Sequence, residues 1–197
     1  VIDIDLPAIV EFERPSGGDN AISEAAEMLS SSKNPIILNG AGVVLSEGAI
    51  DASKALAERL DAAVCVGYQH NDAFPGSHPL FAGPLGYNGS KAAMELIKDA
   101  DVVLCLGTRL NPFSTLPGYG IDYWPKDAKI IQVDINPDRI GLTKKVSVGI
   151  IGDASLVASK ILSKLSDTAG DFARTERKQK IAEIKSRWAQ QLSSMDH

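Results

Sequence analysis

Cysteine and histidine are scarce in this chain, two and three among 197 residues, and neither is spaced to bridge or to bind. Cys65 and Cys105 each sit inside an apolar run. That placement excludes a disulfide framework or a zinc site and reads as two buried thiols of a reducing cytoplasm. Charge of one dominant sign is also missing: 20 Lys and Arg stand against 25 Asp and Glu, and the basic residues are scattered until the C-terminal segment. A net charge of −5 excludes a nucleic-acid groove and an anionic membrane surface as partners, and leaves small molecules, acidic and phosphorylated ones included. No apolar run approaches the roughly 18 residues that span a bilayer, and no charged-then-apolar leader opens the chain. The opening Val1-Ile-Asp-Ile-Asp5 has no initiator methionine and reads as the tail of a linker, so a piece of a longer polypeptide is expected. No Gly-x-Ser-x-Gly elbow, Cys/His pair or Gly-x-x-x-x-Gly-Lys phosphate cradle occurs.

What is present is a rhythm. Five apolar runs recur, at 36–38, 63–66, 102–106, 129–135 and 146–151, most followed by a glycine-bearing turn and then a helical pattern. Between them, 21–31, 46–60, 91–99 and 154–165 place Ala, Leu, Ile and Met three and four residues apart, as amphipathic helices do. Ser46, and Asn20 with Glu24, are candidate helix caps. Continuous apolar strands alternating with helices predict an α/β fold, a three-layer Rossmann-like parallel sheet with helices on both faces. A charged segment from Thr175 to Met195, with Ile181, Ile184 and Trp188 on one stripe, predicts a C-terminal helix that docks on another domain or frays. His197 ends the chain beyond it.

Two stretches break the rhythm, 67–89 and 108–126, and both read as long loops leaving the carboxyl edge of the sheet, where open α/β folds bind ligands. Gly40-Ala-Gly42 after the first strand fits either a phosphate or ribose contact or a bare strand-to-helix turn, because the third glycine of the dinucleotide fingerprint is Leu45 here. An anion there would gain from the dipole of the helix after Ser46 if that helix points at it. Arg109 either holds a phosphate or pairs with Asp134, the residue that closes the next strand. Asn136-Pro137 reads as a cap and first residue of a helical turn. His70 and His78 share one loop with Asn71 and Asp72, but their spacing matches no metal-ligand pattern.

The order of these segments resembles a known family. Strand–Gly40-x-Gly42, His78-Pro79, Leu85-Gly-Tyr-Asn-Gly89, Gly107-x-Arg109 and Ile131-Gln-Val-Asp-Ile-Asn-Pro-Asp-Arg-Ile-Gly141, ending at Gly152-Asp153, are similar to the middle domain of thiamine-diphosphate enzymes of the acetohydroxyacid synthase group. The loops 68–79 and 110–125 most resemble the branch that cleaves a sulfonated aldehyde with phosphate to give sulfite and acetyl phosphate. The resemblance implies 1–19 as linker, 20–166 as central domain, and 167–197 as a helical linker toward a missing C-terminal domain. It also implies that thiamine diphosphate and Mg2+ are bound elsewhere in the polypeptide. The family's catalytic glutamate belongs to its first domain and its Gly-Asp-Gly motif to its third; Gly17-Gly18-Asp19 here is a linker stretch. No catalytic or metal residue is therefore expected in this chain, and isolated it should be inactive. Relatives bind FAD or an adenine nucleotide in this domain, or nothing. The matching positions are Gly40, Ala41, Gly42, Gly67, Tyr68, Gln69, Gly86, Tyr87, Asn88, Arg109, Asp134, Ile135 and Asp153. Asn111-Pro112 replaces the flavin-binding acidic pair and Tyr87-Asn88 replaces a Met-His dipeptide, so FAD is not expected; a retained site for an adenine nucleotide or CoA is a separate reading. Other readings are an acetolactate synthase-like central domain, and an architectural module whose Tyr119, Tyr123 and Trp124 pack on sister domains or subunits of a homo-oligomer.

Overall fold

The computed structural model describes residues 12–166 and 171–195, and Val1–Asp5 and His197 lie outside them. In chain order the elements are α1 (Asp19–Ser31), β1 (Pro35–Asn39), α2 (Ala41–Val44), α3 (Ala49–Leu60), β2 (Ala63–Gly67) and β3 (Phe81–Leu85). They continue as α4 (Lys91–Lys98), β4 (Val102–Leu106), β5 (Lys129–Asp134), β6 (Val148–Ile151), α5 (Ala154–Lys164) and α6 (Asp171–Ser193). The strands form one sheet in the order β3-β2-β1-β4-β5-β6, and every pairing is parallel. β1, β2 and β4 are buried at every residue, which is why they read as unbroken apolar runs rather than alternating ones.

Right-handed crossovers place the helices. The step from β1 through α3 to β2 runs one way across the sheet, and the step from β3 through α4 to β4 runs the other, so α3 and α4 cover opposite faces. α1, α3 and α5 pack side by side, whereas α4 lies over β2 and β3 and carries α6 on its outer side. The expected α/β layering is thus observed, with one strand more than the five apolar runs. β3 lies inside the stretch read as a loop. Its Phe81-Ala-Gly-Pro-Leu85 is interrupted by Gly83, at φ +107°, and by Pro84; a strand paired only with β2 tolerates both, as edge strands do.

The helix expected over 46–60 is observed as α3, Ala49–Leu60, shorter at its start. α2 is a single turn, and α3 starts after Gly48, at φ +73°, without a side-chain cap. α1 is preceded by Gly18, again without one, so neither Asn20 nor Ser46 caps as expected. Asn136 does cap its turn, accepting from the Asp138 amide at 3.0 Å. Burial pushes the Cys65 thiol up to about 12 and raises that of Cys105 as well, consistent with two inert free thiols.

α6 corrects a further expectation: it neither frays nor leaves, but lies on this body. Asp61, buried at the end of α3, accepts from Arg174 Nε at 2.5 Å and Lys178 Nζ at 2.9 Å. Lys180 pairs with Asp99 at 2.9 Å, Arg187 pairs with Glu95, and Ile181 and Ile184 are buried. The helix is weak by itself because it is so highly charged; here the charges meet carboxylates on the ends of α3 and α4.

The tightest packing lies where β1 and β4 leave the sheet. Gly40 N donates to Leu106 O at 3.0 Å and Gly42 N to Gly107 O at 2.9 Å. A Cβ on Gly42 would stand 2.6 Å from Gly107 Cα, and one on Gly107, at φ +60°, 2.6 Å from Gly42 Cα. Backbone meets backbone there, and neither side can yield. Gly107→Ala is expected to cost about 2–3 kcal/mol of stability in urea unfolding. Gly76→Ala, at a glycine with nothing within 4 Å, should stay within about 0.5 kcal/mol. Equal effects would show that the contact is dispensable.

Candidate functional site

The crevice at the switch in strand order between β1 and β4 opens into a cavity of about 170 Å³. Its walls come from four strand exits: Gly40 and Ala41 after β1; Gly67, Tyr68, Gln69 and His70 after β2; Gly107, Thr108, Arg109, Asn111 and Ser114 after β4; and Arg139 after β5. Parallel strands deliver all of these to one edge, the place where ligands sit in open α/β sheets.

One buried side chain organises the right-hand wall. Gln132, in the middle of β5 and 1% exposed, donates through Nε2 to Thr108 O and Arg139 O, both at 3.1 Å, and accepts the Gly141 amide at 2.8 Å. The backbones next to Arg109 and at Arg139 are thereby held to a single amide group. Neither arginine forms an ion pair among the described residues, and no Asp or Glu lines the cavity. Two unpaired guanidiniums facing a carboxylate-free cleft favour an anion. Leu110, at φ +53° yet fully buried, anchors the loop from beneath.

Of the thirteen candidate positions, Gly40, Ala41, Gly67, Tyr68, Gln69 and Arg109 line the cavity. Gly42 lies behind it, against Gly107. Gly86, Tyr87 and Asn88 follow β3 on the same rim, outside the walls; the Tyr87 amide donates to Phe113 O at 3.0 Å, and Phe113 in turn faces Tyr68 with ring centroids 6.3 Å apart. Asp134 is buried, and its Oδ1 accepts the Asn136 amide at 2.9 Å. It does not pair with Arg109 among the described residues, so that alternative is set aside. Ile135 beside it is 49% exposed.

Asp153 is engaged elsewhere. Its Oδ1 accepts from Ser46 Oγ at 2.7 Å and from the Ser155 amide at 3.0 Å and the Leu156 amide at 3.2 Å; its Oδ2 accepts from Arg14 at 2.8 Å. It caps α5 and gathers the turn before α3 and the segment before α1 around one carboxylate. The helix after Ser46 does not point its dipole at the cavity: α3 begins beside α5, where Gly48 lies next to Ser155, and the segment at the cavity is the one-turn α2.

Six lining residues were not among the candidates: His70, Gly107, Thr108, Asn111, Ser114 and Arg139. Arg139 carried the signal used for Arg109, an arginine soon after a buried strand. His78 stands apart from His70, with Nε2 at 3.2 Å from Glu58 Oε1. Among the described residues no group of three His, Cys, Asp or Glu side chains could hold a metal ion.

Comparison with known proteins agrees with the fold. Residues 22–161 match the family model described as thiamine pyrophosphate enzyme, central domain. Sulfoacetaldehyde acetyltransferase of Roseovarius nubinhibens is 76% identical over the whole chain, which covers 32% of that relative. The enzyme of the same name from Castellaniella defragrans is 48% identical over the whole chain, covering 33% of it. A probable acetolactate synthase large subunit of Methanocaldococcus jannaschii is 35% identical over 82% of the chain and 26% of the relative. Among solved structures, a putative thiamin diphosphate-dependent enzyme from Mycobacterium smegmatis superposes with TM-score 0.67 at 25% identity, over 83% of this chain and 31% of that one. The chain thus spans about a third of the length of the curated sulfoacetaldehyde acetyltransferases it matches.

Three carboxylates are held below their usual range. Burial alone would raise Asp61, Asp101 and Asp153, but hydrogen bonds outweigh it: from Lys178 and Arg174 to Asp61, from Ser32 and the Lys33 and Asn34 amides to Asp101, and from Ser46, Arg14 and the α5 amides to Asp153. A carboxyl whose folded pKa is depressed stabilises the fold above the unfolded value of about 4 and loses that contribution as pH falls through the lowered folded value. Thermal melts should therefore drop steeply below about pH 4. Asp153→Asn should be less stable at pH 7 by about 1–2 kcal/mol and show a shallower acid slope; an unchanged slope would remove Asp153 from the account.

Proposed function

Since the chain belongs to the family of thiamine pyrophosphate enzyme central domains, we propose that it is the central domain of a thiamine diphosphate-dependent sulfoacetaldehyde acetyltransferase. Such an enzyme takes sulfoacetaldehyde and phosphate to acetyl phosphate and sulfite. The observation that carries this reading is the 76% identity to one such enzyme over the whole chain, against 35% for the acetolactate synthase relative. The division into linker 1–19, central domain 20–166 and helical linker 167–197 goes with it.

The described residues of this chain do not suit Mg2+ and the thiamine diphosphate it would hold. The crevice presents arginines where a metal needs carboxylates. We assign both groups to parts of the polypeptide outside this chain, and no chemical step runs through residues here. The role left to the domain is to hold those parts in place and to bind an anionic adenine nucleotide or CoA at the switch point through Arg109 and Arg139. About 170 Å³ is small beside the roughly 300–1,000 Å³ of ligand pockets, so phosphates would sit inside and the remainder along the rim near Tyr68. Asn111-Pro112 and the limited volume both disfavour FAD. We place the whole protein, a homo-oligomer, in the cytoplasm of a bacterium that degrades sulfonates such as taurine; the two free buried thiols suit that compartment, and no described helix is long and apolar enough to cross a membrane.

Supplied with sulfoacetaldehyde, phosphate, thiamine diphosphate and Mg2+, the full-length protein should release sulfite and this chain alone should not; sulfite from the isolated chain would overturn the assignment. In titration calorimetry on the full-length protein, ADP or CoA should bind, and Arg109→Ala should weaken binding about tenfold or more. Silence for ADP, CoA, FAD and NAD together removes the nucleotide role and leaves the central-domain assignment untouched.

A further inference from the structure

The apolar stripe of α6 outruns the body it lies on. Ile181 and Ile184 are buried and Trp188 is packed against the core. Leu192, and Met195 in the turn just past the helix end, continue the stripe but are 45% and 61% exposed. The Trp188 ring meets Tyr119 edge-on, centroids 5.7 Å apart, and so joins the stripe to the tip of the β4–β5 loop. There Tyr119 and Leu116 are 58% and 53% exposed, and Leu116 walls a groove of about 390 Å³ with Pro112, Pro117 and Trp124.

The inner part of this loop is packed into the body, so Tyr123 is not available to a sister domain. Tyr123 is fully buried and donates to Ser114 O at 3.0 Å. The tip is held as well: Tyr119 donates its hydroxyl to Gly89 O at 3.2 Å, and Gly118 and Ile121 exchange backbone bonds at 3.2 and 2.8 Å. An ordered loop that keeps Leu and Tyr side chains in water, continuous with an uncovered helix stripe, has the character of a contact surface.

We propose that Leu116, Tyr119, Leu192 and Met195 seat the segment of the same polypeptide that follows α6. This rests on the central-domain reading, in which the chain is about a third of a longer protein. α6 itself delivers that segment to the surface: the five residues from Trp188 to the helix end advance only ~7.5 Å, and the Arg187–Glu95 pair holds the exit direction. Tethering at that distance gives the following segment a far higher effective concentration than a second copy could reach.

Hydroxyl-radical footprinting of the full-length protein tests this. Met195 and Tyr119 should oxidise at least about tenfold more slowly than in the denatured chain, equally at all protein concentrations, and a photo-crosslinker carried at position 195 should capture a peptide beyond residue 197 of the same chain. Oxidation at the denatured rate, protection that appears only as copies associate, or capture of a preceding segment or a second copy would each overturn the proposal. Sulfite release from the same preparation separates the two readings, because an active protein with unprotected Met195 loses only the docking surface.

Discussion

Everything at the carboxyl edge depends on two backbones touching. The exits of β1 and β4 approach until Gly42 and Gly107 are in direct contact, closer than any side chain allows, and two hydrogen bonds tie the turns together. β1 and β4 are the neighbours at which the strand order reverses. Their exits would normally diverge, one chain leaving toward each face of the sheet. Pinning them leaves a crevice that is narrow at its base and lined by main chain, with side chains entering only from its sides. The Gly-x-Gly motif therefore has a structural duty whether or not a ligand is present, and a dinucleotide fingerprint read from glycine spacing alone mixes the two duties.

Gln132 does for the side walls what the glycines do for the base. A buried amide on β5 that satisfies carbonyls of two separate loops is strongly held, because losing it would strand the buried Thr108 carbonyl. The two arginines thus have anchored backbones and, among the described residues, heads without an ion-pair partner. That combination of fixed stem and unpaired charge in a carboxylate-free cleft is the electrostatic reason to expect an anion, and it does not rely on the number of glycines.

Much of this architecture was legible in the sequence, for physical reasons that also explain the failures. β1, β2 and β4 announced themselves because a strand covered on both faces reads as a nearly unbroken apolar run, and β5 did so through Ile130, Ile131 and Val133 despite carrying Gln132 and Asp134. β3 did not, since an edge strand can carry Gly83 and Pro84 and still pair on one side. Arg109 is legible from its place directly after a strand, whereas Arg139 reaches the crevice from the last position of the turn Pro137–Arg139, which sequence spacing alone does not orient. Asp153 was placed by family pattern at the rim; its surroundings became clear only when the fold brought Ser46 and Arg14, more than a hundred residues away in sequence, against it. Long-range carboxylate partners leave no local periodicity to read.

The same limitation explains α6. Judged by itself it is a poor helix, with its apolar residues thinly spread among charges, and isolated helices of that kind are unstable. Placed against Asp61, Asp99 and Glu95 its cations become specific. Asp61 matters most, being nearly inaccessible and shared by Arg174 and Lys178; a buried carboxylate that lost both cations would be left charged and unpaired, a state far costlier than the pair is favourable. The hydrophobic residues beyond Trp188 have no such partner on this body. A helix held firmly along two-thirds of its length, with its last apolar turn uncovered, is rigid enough to aim that turn at whatever comes next. The electrostatic clamp and the bare stripe are thus two parts of one arrangement.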